Sequence, residues 1–140
     1  MIKIGIKAKH VWHDHPLTVS VFIGDNQILS DDSGKDIDFT SDIELEDGQH
    51  EFKFVVSNKT FANVVQEDDV TIKDSYIVID TIKLDDVDLT QILNYEAKFY
   101  PDHPSPKAPV LEKIKELGYN GEYRFTFTAP VYEWLIEKLF

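Results

Sequence analysis

Apolar residues recur at every second position through much of the first half of the chain, the period of a half-buried β-strand. Ile2, Ile4, Ile6, Ala8, His10 and Trp12 share one face of the first run, and Lys3, Lys7 and Lys9 share the other. His13-Asp14-His15-Pro16 breaks the run. Leu17, Val19, Val21 and Ile23 then predict a second strand that ends at the turn Gly24-Asp25-Asn26, with Ile28 and Leu29 on the returning arm. Beyond a polar loop at 31–36, Ile37, Phe39, Ile43 and Leu45 resume the alternation. Asp47-Gly48 predicts a hairpin, and His50, Phe52, Phe54 and Val56 face the core on the next strand. To this point the pattern predicts an antiparallel meander.

Residues 57–69 lose the period and predict a long loop rich in Asn and acidic residues, a kind of segment that more often carries function than mere spacing. The run KDSYIVIDTIKLDD, Lys73 to Asp86, is apolar on both faces through Ile79 and predicts a strand in the middle of the fold. Asp80 falls inside it, on the side of Val78 and Ile82, where a buried carboxylate needs a partner, a metal or a shifted pKa. Asp85 to Asp88 turns the chain, and Tyr95, Ala97 and Phe99 predict a further strand. Pro101 to Pro109 predicts an extended connector. Val110, Leu111, Ile114 and Leu117 share a face at helical spacing, with Pro109 suited to the first turn and Gly118 to the stop, so a short helix is expected there. Tyr123, Phe125 and Phe127 predict the last strand, and Pro130 opens a terminal helix with the stripe Val131, Trp134, Leu135 and Leu139.

These elements amount to about eight strands, one inserted short helix and one C-terminal helix, hence an all-β fold, a jelly-roll or Greek-key β-sandwich. The expected organisation is a single domain, 1–140, with 1–89 as the core sandwich and 90–140 as C-terminal strands and helices packed on it; an α+β arrangement is the alternative. At 140 residues and 42% hydrophobic content the chain can bury roughly two-thirds of its unfolded surface. It has no Cys, which removes disulfides, thiol nucleophiles and Cys-ligated metals. Its net charge of -12 repels phosphate backbones and anionic membranes, so neither nucleic acid nor membrane is an expected partner. No signal-peptide core and no apolar run of about 20 residues occurs, so the chain reads as soluble and unprocessed.

Candidate chemistry is sparse. His10, His13 and His15, with Asp14 among them and His103 in a separate loop, offer two ligands for a zinc or nickel ion; the competing reading is a polar turn before Pro16. Acidic residues are too numerous for any pair to stand out as catalytic, and no nucleophile elbow, phosphate-cradling loop or HExxH helix is present, so the expectation is a non-enzyme. Trp12, Phe22, Phe61 and Tyr100 are the aromatic residues expected to project outward, where a flat ring can pack on the apolar face of a sugar.

The stretch from Phe52 to Phe54, through Ser57-Asn58 and the loop, into Tyr76-Ile77-Val78-Ile79-Asp80-Thr81-Ile82-Lys83-Leu84 resembles the last strands of calcium-dependent carbohydrate-binding modules of the xylan-binding kind, over roughly residues 17 to 85. That resemblance implies Asp80 as a calcium ligand, with Asn58, Asp68, Asp69 and Asp74 as further oxygen donors. The C-terminal part, Phe99-Tyr100-Pro101, then Leu117-Gly118-Tyr119-Asn120-Gly121-Glu122-Tyr123 and Pro130 to Trp134, resembles small proteins of large tailed bacteriophages, which carry no established activity. Two functions follow as expectations: a non-catalytic, calcium-assisted module for a glycan or host-surface polysaccharide, or a virion or assembly accessory protein acting through protein contacts.

Overall fold

The computed structural model describes residues 1–103 and 109–139. The chain forms β1 (Ile2–Val11), β2 (Thr18–Ile23), β3 (Asn26–Asp31), β4 (Ile37–Ile43), β5 (Gly48–Ser57), a 3-10 turn (Phe61–Asn63), β6 (Val65–Glu67), β7 (Val70–Lys73), β8 (Tyr76–Leu84), β9 (Val87–Asp88), α1 (Thr90–Glu96), β10 (Lys98–Pro101), β11 (Leu111–Glu112), β12 (Glu116–Leu117), β13 (Gly121–Ala129) and α2 (Val131–Leu139). Two antiparallel sheets face each other. One runs β12-β8-β1-β4 with β9 on β8, the other β11-β10-β13-β5-β2-β3, and β6-β7 is a separate hairpin.

The alternating positions meet between these sheets. Ile2, Ile4, Ile6 and Ala8 of β1 and Ile77, Ile79, Ile82 and Leu84 of β8 face Val19, Val21, Phe52, Phe54, Val56, Phe99, Tyr123, Phe125 and Phe127 in one buried cluster. Inside it Phe52 stacks on Phe125 with ring centroids 4.7 Å apart. The Tyr123 phenol is pushed up to about 12 by burial and stays neutral. The all-β sandwich with a C-terminal helix is therefore the observed fold, with the terminal helix seated through Val131, Trp134 and Leu135. Leu139, expected in that stripe, is 45% exposed.

The path of the chain differs from a meander. β1 pairs with β4, and β2 with β5, so the chain changes sheets between β1 and β2, β3 and β4, and β4 and β5. Asp47-Gly48 accordingly makes a corner between layers, not a hairpin. Alternation reports which face of a strand is buried and says nothing about its neighbour, so both topologies share one pattern. Nor does the C-terminal third pack on a completed sandwich: β13 is an inner strand of the second sheet, between β10 and β5.

Three further elements depart from expectation. The segment 110–117 is not a helix; β11 adds to the edge at β10 and β12 to the edge at β8, with Lys113 between them in the left-handed region at φ 59°. Two open sheet edges offer these backbone groups partners, such as Lys115 O for the Ile79 N–H at 2.9 Å, and two turns of isolated helix compete poorly with them. The inserted helix is instead α1, which buries Ile92 and Leu93, follows the buried Leu89 and leaves Tyr95 79% exposed. Residues 57–69 contain the 3-10 turn and the start of the β6-β7 hairpin, so little of the stretch is irregular. Positions 104–108 of the expected proline-rich connector lie outside the described residues.

A β-bulge decides the position of Asp80. Lys7 faces Thr81 and Ala8 faces Ile79, so Asp80 is the extra residue on β8. The bulge resets the phase from Ile77 and Ile79 to Ile82 and Leu84 and turns Asp80 out to solvent. The expectation of a buried carboxylate fails because it assumes one unbroken period.

Candidate functional site

At one edge of the sandwich the 3-10 turn, the β6-β7 hairpin and the segment 111–120 enclose an open groove of about 790 Å³. Its architecture starts with two fully buried polar side chains, Asn63 and Ser75. Asn63 Oδ1 accepts from the Thr60 N–H at 2.8 Å, and its Nδ2 donates to His13 O at 2.9 Å and His15 O at 2.8 Å. Ser75 Oγ accepts from the His13 N–H at 2.9 Å and donates to Asn63 O at 3.1 Å. This knot ties the β1-β2 turn, the 3-10 turn and the entry to β8 into one unit, each buried polar group having a partner. Phe61 sits at the outer corner of the turn so fixed, 99% exposed on the groove wall.

The floor is held by charge. Lys59 Nζ donates to Asp74 Oδ1 at 2.7 Å and to Gly118 O at 2.6 Å, and its side chain is only 14% exposed. Asn120 clamps the Lys59 backbone, accepting from its N–H at 2.9 Å and donating to its carbonyl at 3.0 Å. Behind it Gly121 allows β10 to approach: a Cβ there would stand 2.4 Å from Tyr100 O. Val64, Leu111 and Tyr119 supply apolar wall, and Thr60, Gln66, Thr71 and Glu116 supply hydrogen-bonding groups. An aromatic rim above a polar floor can seat an uncharged polar ligand; nothing in it pairs a nucleophile with a base.

Two histidines near the groove titrate in opposite directions. His15 Nδ1 lies 2.8 Å from Asp14 Oδ2 and Nε2 lies 2.9 Å from Asn58 O, two acceptors that only the imidazolium can satisfy together. The Asp14 hydrogen bond, then that of Asn58, raises its pKa. Burial lowers the pKa of His10, against the opposing pull of Asp31 and Asp36, and its Nε2 accepts from the Leu17 N–H at 3.1 Å. His15 therefore contributes stability that is full below about 6.5 and lost as pH rises through its raised pKa, whereas the His10 contribution is lost as pH falls below about 6.5. An NMR titration of the imidazole resonances is expected to place the His15 midpoint above that of His10; the reverse order would rule out these two environments.

The residues expected to form a metal site are spread along the chain. Asp68 and Asp69 form the tip of the β6-β7 hairpin, in the left-handed region at φ 53° and 66°. Asp74 lies past the far end of β7, roughly 15 Å away at the rise of a strand, and Asp80 is a further six residues along β8, roughly 20 Å if extended. Asn58, at φ 70°, gives its carbonyl to His15, and its Nδ2 lies 3.5 Å from Pro16 O. Among the described residues no three His, Asp or Glu side chains cluster as metal ligands. The His13-Asp14-His15 segment is a tight turn, closed by His15 N–H to His13 O at 3.0 Å, and His103 lies apart on an exposed bend.

Of the four aromatic candidates, Phe61 alone lines the groove. Trp12 is 43% exposed but bonded, its Nε1–H donating to Gly34 O at 3.0 Å. It lies against Gly34, where φ is +80° and a Cβ would come within 2.6 Å of the indole nitrogen. Phe22 is half-buried on the outer side of β2, and Tyr100 is covered by the Arg124 guanidinium 4.4 Å from its ring centroid. Sequence reasoning missed Lys59, Asn63, Tyr119 and Asn120. Of these only Asn63 left a local trace, its spacing of three from Thr60, which suits a side chain closing a turn back onto the backbone.

No protein-family model matches the sequence, and no curated protein matches it significantly. Two solved structures match the fold. One is the module vCBM60 in complex with galactobiose, with a TM-score of 0.60 and 14% identity over 88% of this chain and 96% of that one. The other is the selenomethionine form of vCBM60, described as part of an evolutionary link by circular permutation between two families of calcium-dependent carbohydrate binding modules. It has a TM-score of 0.61 and 14% identity over 89% of this chain and 90% of that one.

Proposed function

We propose that the chain is a non-catalytic glycan-binding module and that the groove beside Phe61 is its binding site. The observation that carries this reading is Phe61 itself. A phenyl ring 99% exposed gains nothing from folding, yet a buried network of Asn63 and Ser75 holds its turn in place. An exposed ring on a fixed turn, over a groove with polar donors and acceptors, is what the apolar face and hydroxyls of a sugar require. The shared fold with vCBM60, described in complex with galactobiose, supports the same class of ligand. Calcium is not carried into this reading, because the acids that would ligate it are dispersed and Asp74 is already bound to Lys59.

Calorimetry with galactobiose and a panel of neutral oligosaccharides tests the proposal. At least one glycan is expected to bind, and Phe61→Ala is expected to weaken it about tenfold, the worth of a stacked aromatic contact. Because the residue is 99% exposed, the variant should stay within about 0.5 kcal/mol of the wild type in stability. Binding unchanged in Phe61→Ala would move the site elsewhere.

One observation favours the protein-contact part of the second reading, an accessory protein that acts through protein–protein contacts. Tyr132, Ile136 and Leu139 of α2 and Tyr95 of α1 are exposed at 72, 43, 45 and 79%. A concentration-dependent dimer in sedimentation velocity, broken by Ile136→Glu, would support it; a monomer at all concentrations would count against self-association through this face.

A further inference from the structure

We propose that the Lys59 ammonium is a resident cation of the groove floor: it occupies the oxygen donors a calcium ion would need there, and it offers its remaining N–H to an oxygen of the ligand. The second half rests on the glycan-binding reading; the first does not.

Both contacts of the ammonium, 2.7 Å to Asp74 Oδ1 and 2.6 Å to Gly118 O, are at or below the short end of charge-assisted hydrogen bonds. The same Asp74 oxygen also accepts from the Ser75 N–H at 2.7 Å, so the carboxylate is fixed from two sides. Asn120 fixes the Lys59 backbone on both its N–H and its carbonyl. A flexible four-carbon stem held at its base and at its tip, with the side chain only 14% exposed, is a structural cation and not a surface charge. It joins three segments: the loop after β5, the entry to β8 and the loop after β12.

The arrangement has two chemical consequences. Calcium requires six to eight oxygen ligands, and here a carboxylate and a carbonyl of the floor are already committed to a lysine. A divalent ion drawn to the other oxygen of Asp74 would lie beside that ammonium, against the repulsion of like charges. An ammonium has three donors and no acceptor, and tetrahedral geometry aims the third N–H away from the two oxygens it already serves. Lys59 lines the groove, so a ligand hydroxyl or ring oxygen can take that bond.

The test is a set of thermal melts of the full chain and of Lys59→Met, in millimolar calcium and again in chelator, with a calorimetric titration of calcium alone. The wild type is expected to melt within about 1 °C in the two solutions and to give no binding heat, whereas Lys59→Met melts several degrees lower in both, since it strands Asp74 and Gly118 O. A calcium-dependent rise in the wild-type melting temperature overturns the proposal, even if the variant fails to fold. So does a variant that melts with the wild type. Any glycan that binds should bind equally in chelator, and one that binds only in calcium also overturns it. A screen with no binder at all would sink the glycan reading while leaving the melts to decide on the ammonium.

Discussion

Phe52→Ala is expected to lower the stability of the folded chain by about 3–5 kcal/mol, the cost of deleting a large aromatic from a packed core. Phe52 is fully buried on β5 and stacks on Phe125 at 4.7 Å; Phe125 lies 6.3 Å from Phe127, and Phe127 meets Trp134 edge-on at 6.3 Å. The ring thus belongs to a row of aromatics that joins the middle of the second sheet to α2. Truncation removes its own burial and leaves a void that strand backbones, fixed by the β2-β5 and β5-β13 ladders, cannot close. For 140 residues the loss corresponds to a fall of about 10–15 °C in the melting temperature. Urea unfolding checks it: the midpoint should drop with little change in slope, and Phe52→Leu should recover most of the difference. A loss below about 1 kcal/mol would mean that this row is not the core.

Such a core was legible in the sequence because it depends on one thing, the alternation of apolar side chains. Ile2, Ile4, Ile6 and Ala8, then Phe52, Phe54 and Val56, then Tyr123, Phe125 and Phe127 all bury as their period requires. Strand pairing was not legible, because β1 would show the same face to any neighbour, whether β2 or, as observed, β4 and β8. The bulge at Asp80 was hidden for a related reason: an extra residue in a run apolar on both sides breaks no visible pattern, yet it reverses what is inside. Short elements failed where tertiary contacts outweigh local preference. Leu111, Ile114 and Leu117 have helical spacing, but two sheet edges took their backbone; of the alternating Tyr95, Ala97 and Phe99, Phe99 does fall on strand β10, but Ile92 and Leu93 anchor about two turns of helix that take Tyr95.

The groove was legible only as a gap. Loss of periodicity after Ser57 marked a segment not committed to the sheets, and Phe61 within it was singled out as an outward aromatic. Its partners were out of reach because they come from distant parts of the chain. Lys59 meets Asp74 across fifteen residues and Asn120 across sixty-one, and Asn63 reaches His13 across fifty. Polar residues that act by buried hydrogen bonds carry no period, so beyond its spacing of three from Thr60 nothing in the order of residues distinguishes Asn63 from the exposed Asn58.

That dependence on one buried amide makes Asn63 the sharpest test of the site. Asn63→Ala leaves the Thr60 N–H and His15 O without their side-chain partner and His13 O with only the His15 N–H and the long Ser75 contact, and at about 1–3 kcal/mol for each unsatisfied group the loss should reach about 2–3 kcal/mol. Asn63→Asp separates this knot from mere loss of volume, since it keeps the shape and reverses the chemistry. Its carboxylate can still accept from Thr60 but opposes two carbonyls where the amide donated, so burial and those dipoles must raise its pKa above the unfolded value of about 3.9. The penalty therefore appears as pH rises past about 3.9 and grows until the raised pKa is passed; in acid the protonated carboxyl can donate to one carbonyl and recover part of the loss. Melts between pH 4 and pH 8, each taken relative to the wild type so that His10 and His15 cancel, should show the Asp variant approaching the wild type in acid while the Ala variant keeps a constant deficit. Parallel curves for the two variants would mean that the amide is not what holds His13 and His15. Because the same amide sets the turn that carries Phe61, glycan affinity in Asn63→Asp should fall and recover with the same pH dependence, linking the buried network to the site it shapes.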